Sequence, residues 1–396
     1  MGDKSGKYFV FLFALATIRF FSPALIPAKV FIYFYDLLFL LTIIYVMLFI
    51  KREHSNKFGF PVFLLIVSIF VSCISAYVTW GQGFFLTFKS VTYSLSYVLF
   101  FLILVLNVKI ADLEKFIVIV GVVFMGVYFI SFIAYPNEIF RYRFSVPGLQ
   151  RGFQRIVPFG IGYMFLLSFY SLNRYFDDKK LKWLILYLLT LVFTVMTLTR
   201  TLIAVSFSLS ALFILRKSSN LKKIIALVII GLSVFYISQI KYFQQMSELT
   251  QEQGRNWESY IRVRAAKYYL TKFSPDLFTK IFGNGNPTGD SAYDNYVENQ
   301  LEKKHGYFLS DLGYIGIYVV FGFFSVLALA MIIFRVIKTP VGERYLYTKY
   351  FLFFVFVTDV IIGVLFTSDY IPSIVVSLYI LSKKEINEHS PETYAL

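Results

Sequence analysis

Residues 183–215 read WLILYLLTLVFTVMTLTRTLIAVSFSLSALFIL, with Arg200 the one charge in the run. A stretch this apolar is membrane material, not a soluble helix. Split at Thr199-Arg200 it gives two short spans, 183–198 and 201–215, with an arginine at their apex. Such an arginine either snorkels to headgroups or lines a site. Outward from this hairpin the same texture repeats, over approximately 8–26, 30–50, 60–79, 86–106, 116–135, 156–173, 224–240, 308–334, 350–366 and 371–382. The last two are divided at Thr367-Ser368-Asp369-Tyr370. Short helices at both splits put the count at 10–12. The expected fold is therefore all-α: a polytopic membrane protein with about 12 transmembrane helices and one long outer loop between the ninth and tenth. Residues 1–240 hold nine spans and an Arg-rich outer loop at about 136–155; residues 241–307 form the long outer loop; residues 308–396 hold the last three spans and a short tail.

Composition agrees. Of 396 residues, 58% are hydrophobic and 15% charged, against roughly 25% charged in a soluble domain. There is too little polar surface to wrap so much apolar mass, which excludes a soluble enzyme, a disordered chain and a disulfide scaffold. Cys73 is the single cysteine, so no internal disulfide can form. The net charge of +15 does not imply nucleic acid, because the basic residues fall in short clusters between apolar runs. The N-terminal apolar stretch lacks a small-residue cleavage site and reads as an uncleaved first span. Gly6 stands where a myristoylation motif needs Ser or Thr.

Loop charge orients the spans. Alternate connections carry Lys4 and Lys7; Lys51, Arg52 and Lys57; Lys109 and Lys115; Arg174, Lys179, Lys180 and Lys182; Arg216, Lys217, Lys222 and Lys223; Arg335, Lys338, Arg344 and Lys349; and Lys383 with Lys384. This set is placed in the cytoplasm with both termini. Arginine then reverses the trend: Arg141, Arg143, Arg151, Arg155, Arg200, Arg255, Arg262 and Arg264 all fall outside. Arginine suits planar, bidentate contact with phosphate, which points to an outward site for a phosphate-bearing ligand. The plainer alternative pairs these residues with Glu248, Glu252, Glu258 and Asp276, or with lipid headgroups.

Residues 256–273 read as an amphipathic helix with Trp257, Ile261, Arg264 and Tyr268 on one face. Arg262 lies about 200° from Arg264, so the two do not serve one site. Gly283-Asn284-Gly285-Asn286-Pro287 forms a tight turn. His305 is the one histidine on the outer side, bordering the tenth span, and Gly306 beside it leaves room for a ligand near the backbone. An imidazole can take a proton from a hydroxyl near pH 7; Asp290, Asp294, Glu298 and Asp311 are rival bases. Arg19 and Asp36 on adjacent spans are expected to pair, with Lys89 nearby, and Asp359 is mid-span. There is no Asp-x-Asp, P-loop, CxxC or HExxH motif, so neither metal nor cofactor is expected.

Three features together resemble a family. Thr199-Arg200-Thr201 at a hairpin tip resembles the Ser/Thr-Arg motif of bacterial O-antigen polymerases (Wzy) and O-antigen ligases (WaaL). Arg264 followed by Gly283-Asn284-Gly285 resembles that family's Arg and Gly-x-Gly in its long outer loop, and His305 with Leu309 resembles its His-x-x-x-Leu segment. They occur in family order over roughly 185–320; the first half matches in hydropathy alone. Gly306 stands where the ligases usually carry Asn, which leans toward polymerase.

The resemblance implies glycosyl transfer on the outer face of the bacterial cytoplasmic (inner) membrane. The donor is a glycan on undecaprenyl pyrophosphate, and the acceptor is another lipid-linked repeat unit or, for a ligase, lipid A-core. Arg200, Arg264, Arg151 and Arg155 would hold the pyrophosphate without a metal, and His305 would be the catalytic base. A chain-length regulator protein and membrane lipid are the implied partners. A Gram-positive capsule polymerase would look similar. A flippase for the same lipid-linked sugar is the rival from another class, and it would need neither the long outer loop nor a base on it.

Overall fold

The computed structural model describes residues 3–51, 56–142, 149–150, 153–154, 156–217 and 260–388. Regular structure there is helical, apart from an antiparallel ribbon of β1 (Leu149–Gln150) and β2 (Phe153–Gln154) and two isolated bridges. The helices are α1 (Asp3–Thr17), α2 (Ala28–Phe49), α3 (Gly59–Trp80), α4 (Phe84–Val91), α5 (Leu99–Leu106), α6 (Ile110–Ala134), α7 (Ile161–Asp178), α8 (Leu181–Met196) and α9 (Arg200–Lys217). After the undescribed stretch come α10 (Ile261–Tyr268), α11 (Leu277–Phe282), α12 (Ala292–Asn295), α13 (Tyr314–Phe321), α14 (Phe323–Lys338), α15 (Leu346–Asp359) and α16 (Ile371–Glu388). The segment read as a ninth span, 224–240, lies outside the described residues, as do Arg151 and Arg155.

By length and composition, α2, α3 and α6 can each cross a membrane. The segment read as 86–106 is bent by 60° between Phe84–Val91 and Ser94–Leu106, and counts as a fourth if taken as one span. The helices Gly6–Thr17, Leu181–Met196 and Ile371–Lys383 are apolar but shorter. Large apolar side chains stand exposed along α2, among them Leu37, Leu40, Leu41, Ile44, Met47 and Leu48. Water would not tolerate such a row on a monomer; hydrocarbon would. The chain has the makeup of a membrane protein.

Helix α7 is the axis. Every residue from Ile161 to Arg174 is buried, polar Ser168, Ser171 and Asn173 included, and α6, α8 and α15 pack around it. The hairpin that decided the reading forms where the sequence splits it. The chain turns over Thr197–Thr199, with Leu198 in the left-handed region (φ 52°), and α9 starts at Arg200.

Connections gather at two ends. At one, Lys7 pairs with Asp112 (3.2 Å), Lys383 bonds Asn107 (2.7 Å), and Lys217 pairs with both Asp177 (3.1 Å) and Glu343 (2.9 Å). At the other, Pro23 bridges Phe140, Gly160 donates to Asp369 (2.7 Å), and Gln82 bonds the 286–291 segment. The basic connections thus meet one another.

Arg174 departs from its reading as a loop charge. It is buried in α7, where its guanidinium bonds Glu114 at 2.6 Å and Nε donates to the Tyr170 hydroxyl. The Tyr347 hydroxyl donates to the second Glu114 oxygen. A carboxylate on the neighbouring α6 is what makes a buried guanidinium tolerable.

Three apolar segments end earlier than their composition indicates; the first, read as 8–26, leaves its helix after Thr17, where Arg19–Ser22 take positive φ. The stretch read as 308–334 breaks at Gly322 (φ 80°) into α13 and α14. The break frees carbonyls, and the Gly-Asn-Gly segment supplies the donors. Asn284 N–H bonds Val319 O and Gly285 N–H bonds Val320 O, both at 2.9 Å. Irregular backbone inside the packed bundle is tolerated because protein satisfies it. Gly283 and Gly322 are both in the left-handed region, and a Cβ on either would overlap the other's chain. The stretch read as 350–366 ends its helix at Asp359, whose Oδ1 accepts from the N–H groups of Val364 (2.6 Å) and Leu365 (2.8 Å). Asp359 therefore holds the turn that follows α15 through Oδ1, while its buried Oδ2 has no hydrogen-bond partner among the described residues.

Candidate functional site

A second, smaller core lies beyond the end of α3. Ala265, Tyr269, Phe273, Tyr293, Val297 and Leu301 form its centre, with Trp80 packed against it. Trp80 stacks on Tyr293 (centroids 4.6 Å apart) and donates its Nε1–H to Asn284 Oδ1 at 3.0 Å. The Asn284 amide nitrogen bonds both Ser274 Oγ and Val319 O at 2.9 Å. Gln82 is equally committed: its amide nitrogen bonds Thr87 and the Asn286 carbonyl, and its oxygen accepts from Thr288 N–H and Ser291. These two buried amides fasten the 284–291 segment to α3 and α4. The tight turn read at 283–287 is thus a packing junction.

Two short elements stand on this base. Helix α10 runs into a π-helical turn at Tyr269–Phe273. Helix α12 opens on the Ser291 cap and widens into a π-helix over Tyr296–Lys303. Gly306 then ends it in the left-handed region (φ 69°), donating to Glu302 O, while Tyr307 N–H bonds Leu301 O. Glycine at this position after a helix is the low-strain choice. The space beside Gly306 read as room for a ligand is occupied: a Cβ there would meet Ile261 Cδ1 at 2.7 Å.

Between these elements is a cavity of about 470 Å³ lined by Arg264, Tyr268, Tyr296, Gln300, Leu301, His305 and Tyr307. Two residues singled out in the sequence, Arg264 and His305, therefore line one cavity. Both are exposed, and among the described residues neither side chain has a hydrogen bond or ion pair. The His305 ring lies on Tyr307 (5.4 Å). Arg262, two residues from Arg264, points elsewhere and pairs with Asp311 at 3.2 Å. This is the division expected from helical phase, and it also engages the rival base Asp311. Tyr268 and Tyr296 share a hydroxyl–hydroxyl bond of 2.6 Å; burial, then the Tyr296 hydroxyl, pushes the Tyr268 phenol up to about 12. Burial, then the charges of Glu298 and Asp294, holds the Glu302 carboxyl above its ordinary range.

The other arginines are elsewhere. Arg200 opens α9 and is not among the described residues that line the cavity. Arg141 bonds the carbonyls of Pro23 (3.2 Å) and Ala24 (3.0 Å). Arg19 does not take Asp36 as its contact; its guanidinium sits between the rings of Tyr93 and Phe159, 4.7 Å from each.

Sequence reasoning missed Tyr296 and Gln300. The signal available was their spacing of one turn, but it sits in a polar loop with no apolar period to mark the face. Neither a family model nor a curated protein matches the chain.

Proposed function

We propose that this chain is a polysaccharide polymerase of the bacterial cytoplasmic membrane. It transfers a glycan from undecaprenyl pyrophosphate to another lipid-linked repeat unit on the outer face. The observation that carries this reading is the common cavity of Arg264 and His305. The acceptor hydroxyl oxygen attacks the anomeric carbon of the donor, and its proton passes to the His305 imidazole. The carbon–oxygen bond to phosphate breaks, and the electron pair leaves with the lipid pyrophosphate. Arg264 stabilises that developing charge. Arg200 keeps the pyrophosphate role that the family resemblance gives it, and Arg151 and Arg155 are assigned the same role from their place in the Arg-rich outer loop. In this reading the chain has about twelve spans, both termini are cytoplasmic, and the described residues 260–307 face outward.

The test is a gel of surface polysaccharide from a deletion strain. Single repeat units on the finished glycan support polymerisation. Single units retained inside the cell support the flippase instead, and normal-length glycan refutes both. Topology is checked separately: a cysteine at Ser291 should react with a membrane-impermeant reagent in intact cells, and one at Ser218 only after permeabilisation.

A further inference from the structure

The cavity offers more than a base and a cation. Six of its seven lining residues come in three pairs, each set by local geometry. Arg264 and Tyr268 are one turn apart on α10, and Tyr296 and Gln300 are one turn apart on the widened helix. His305 and Tyr307 flank the left-handed Gly306. The rings are close enough to form a continuous surface: Tyr268 and Tyr307 are 5.9 Å apart, and Tyr307 and His305 are 5.4 Å apart. Among the described residues, the Gln300 amide has no protein partner. Leu301 is the one aliphatic side chain in the lining, and no carboxylate takes part. This is poor chemistry for a lipid tail or a metal ion. It suits a ligand with a C–H face for aromatic rings and a rim of hydroxyls for an amide and a guanidinium. A volume of about 470 Å³ also falls within the roughly 300–1,000 Å³ of small-ligand pockets.

We infer that this cavity is a carbohydrate subsite, in which Tyr268 and Tyr296 present the aromatic platform and Gln300 bonds the hydroxyls of a sugar held beside His305. The inference rests on the transfer reading for the identity of that sugar as part of the substrate. Tyr296 and Gln300 are positioning residues, reached through side chains that no motif marks.

The test uses the detergent-solubilised full chain and fragments of surface polysaccharide released by mild acid from the strain that carries it. The native protein should bind these lipid-free fragments. Tyr296→Ala and Gln300→Ala should each weaken binding at least tenfold. Tyr296→Phe, which keeps the ring, should stay within threefold. Gln300 is exposed, so its variant separates lost binding from lost folding. No binding by the native chain, or equal binding by Tyr296→Ala and Gln300→Ala, overturns the inference. His305→Ala should bind fragments but fail to extend chains. If it extends them normally while Tyr296→Ala loses binding, the base role of His305 falls and the subsite stands. If His305→Ala stops growth while Tyr296→Ala binds like the native chain, the subsite alone falls.

Discussion

Arg174 and Arg264 use the same side chain in opposite ways. Arg174 lies within the bundle, bonded to Glu114 at 2.6 Å and to Tyr170. Arg264 stands exposed in a cavity with no partner among the described residues. A buried guanidinium must be matched, because an unpaired charge there is costly. An exposed one is solvated and stays available to a ligand. Arg262 repeats the lesson at short range: two residues from Arg264, it is tied to Asp311. Sequence position alone did not distinguish structural arginines from available ones; the facing residue did.

The comparison breaks most readily at the buried pair. Glu114→Leu strands the Arg174 charge and should lower stability by about 3–5 kcal/mol, whereas Glu114→Leu with Arg174→Leu should recover most of the loss. Thermal unfolding in detergent measures both. Arg264→Ala should move stability by no more than about 0.5 kcal/mol in the same assay. If the two single variants were equally destabilising, the contrast would be gone.

Next in size is the junction below the cavity. Asn284→Ala leaves Trp80 Nε1 and other buried groups without partners, about 1–3 kcal/mol for each group left unsatisfied. Gly306→Ala should cost about 1–2 kcal/mol from left-handed strain alone, with displacement of Ile261 added. Protease resistance of the 260–307 region would register either change.

The smallest effect is a response to pH. The Thr279 backbone N–H and hydroxyl hold the Asp276 carboxyl below its ordinary range. Its folded value is depressed, so its contribution to stability is present above the unfolded value and is lost as pH falls through the folded one. Glu302, raised by burial and its acidic neighbours, works in reverse and destabilises as pH rises through its unfolded value. An acid titration of melting temperature should show the Asp276 limb vanish in Asp276→Asn and persist in Glu302→Gln.

Much of this was legible in the sequence because apolar length is a local property. Residues 28–49, 59–80 and 110–134 announce themselves by composition, and the turn before Arg200 by the polar residues that interrupt an apolar block. The opposed faces of Arg262 and Arg264 followed from helical phase. What stayed hidden depended on contacts across the chain. The break at Gly322 is satisfied by donors from residues 284 and 285, and nothing in 308–334 alone announces it. Gly306 looked like space because its neighbour Ile261, far earlier in the chain, was unseen. Arg174 read as a loop charge because Glu114 is on another helix.

The claim at the centre is that Arg264 and His305 work together on one reaction, and chain length in a His305→Ala strain tests it most directly. Removing a general base typically costs about 10²–10⁴ in rate. With the variant inserted at native level, the surface glycan should collapse to single repeat units, while stability stays within about 0.5 kcal/mol of the native chain. Normal-length polymer at normal expression would contradict the account and hand the base to a carboxylate, with Asp311 the first to test.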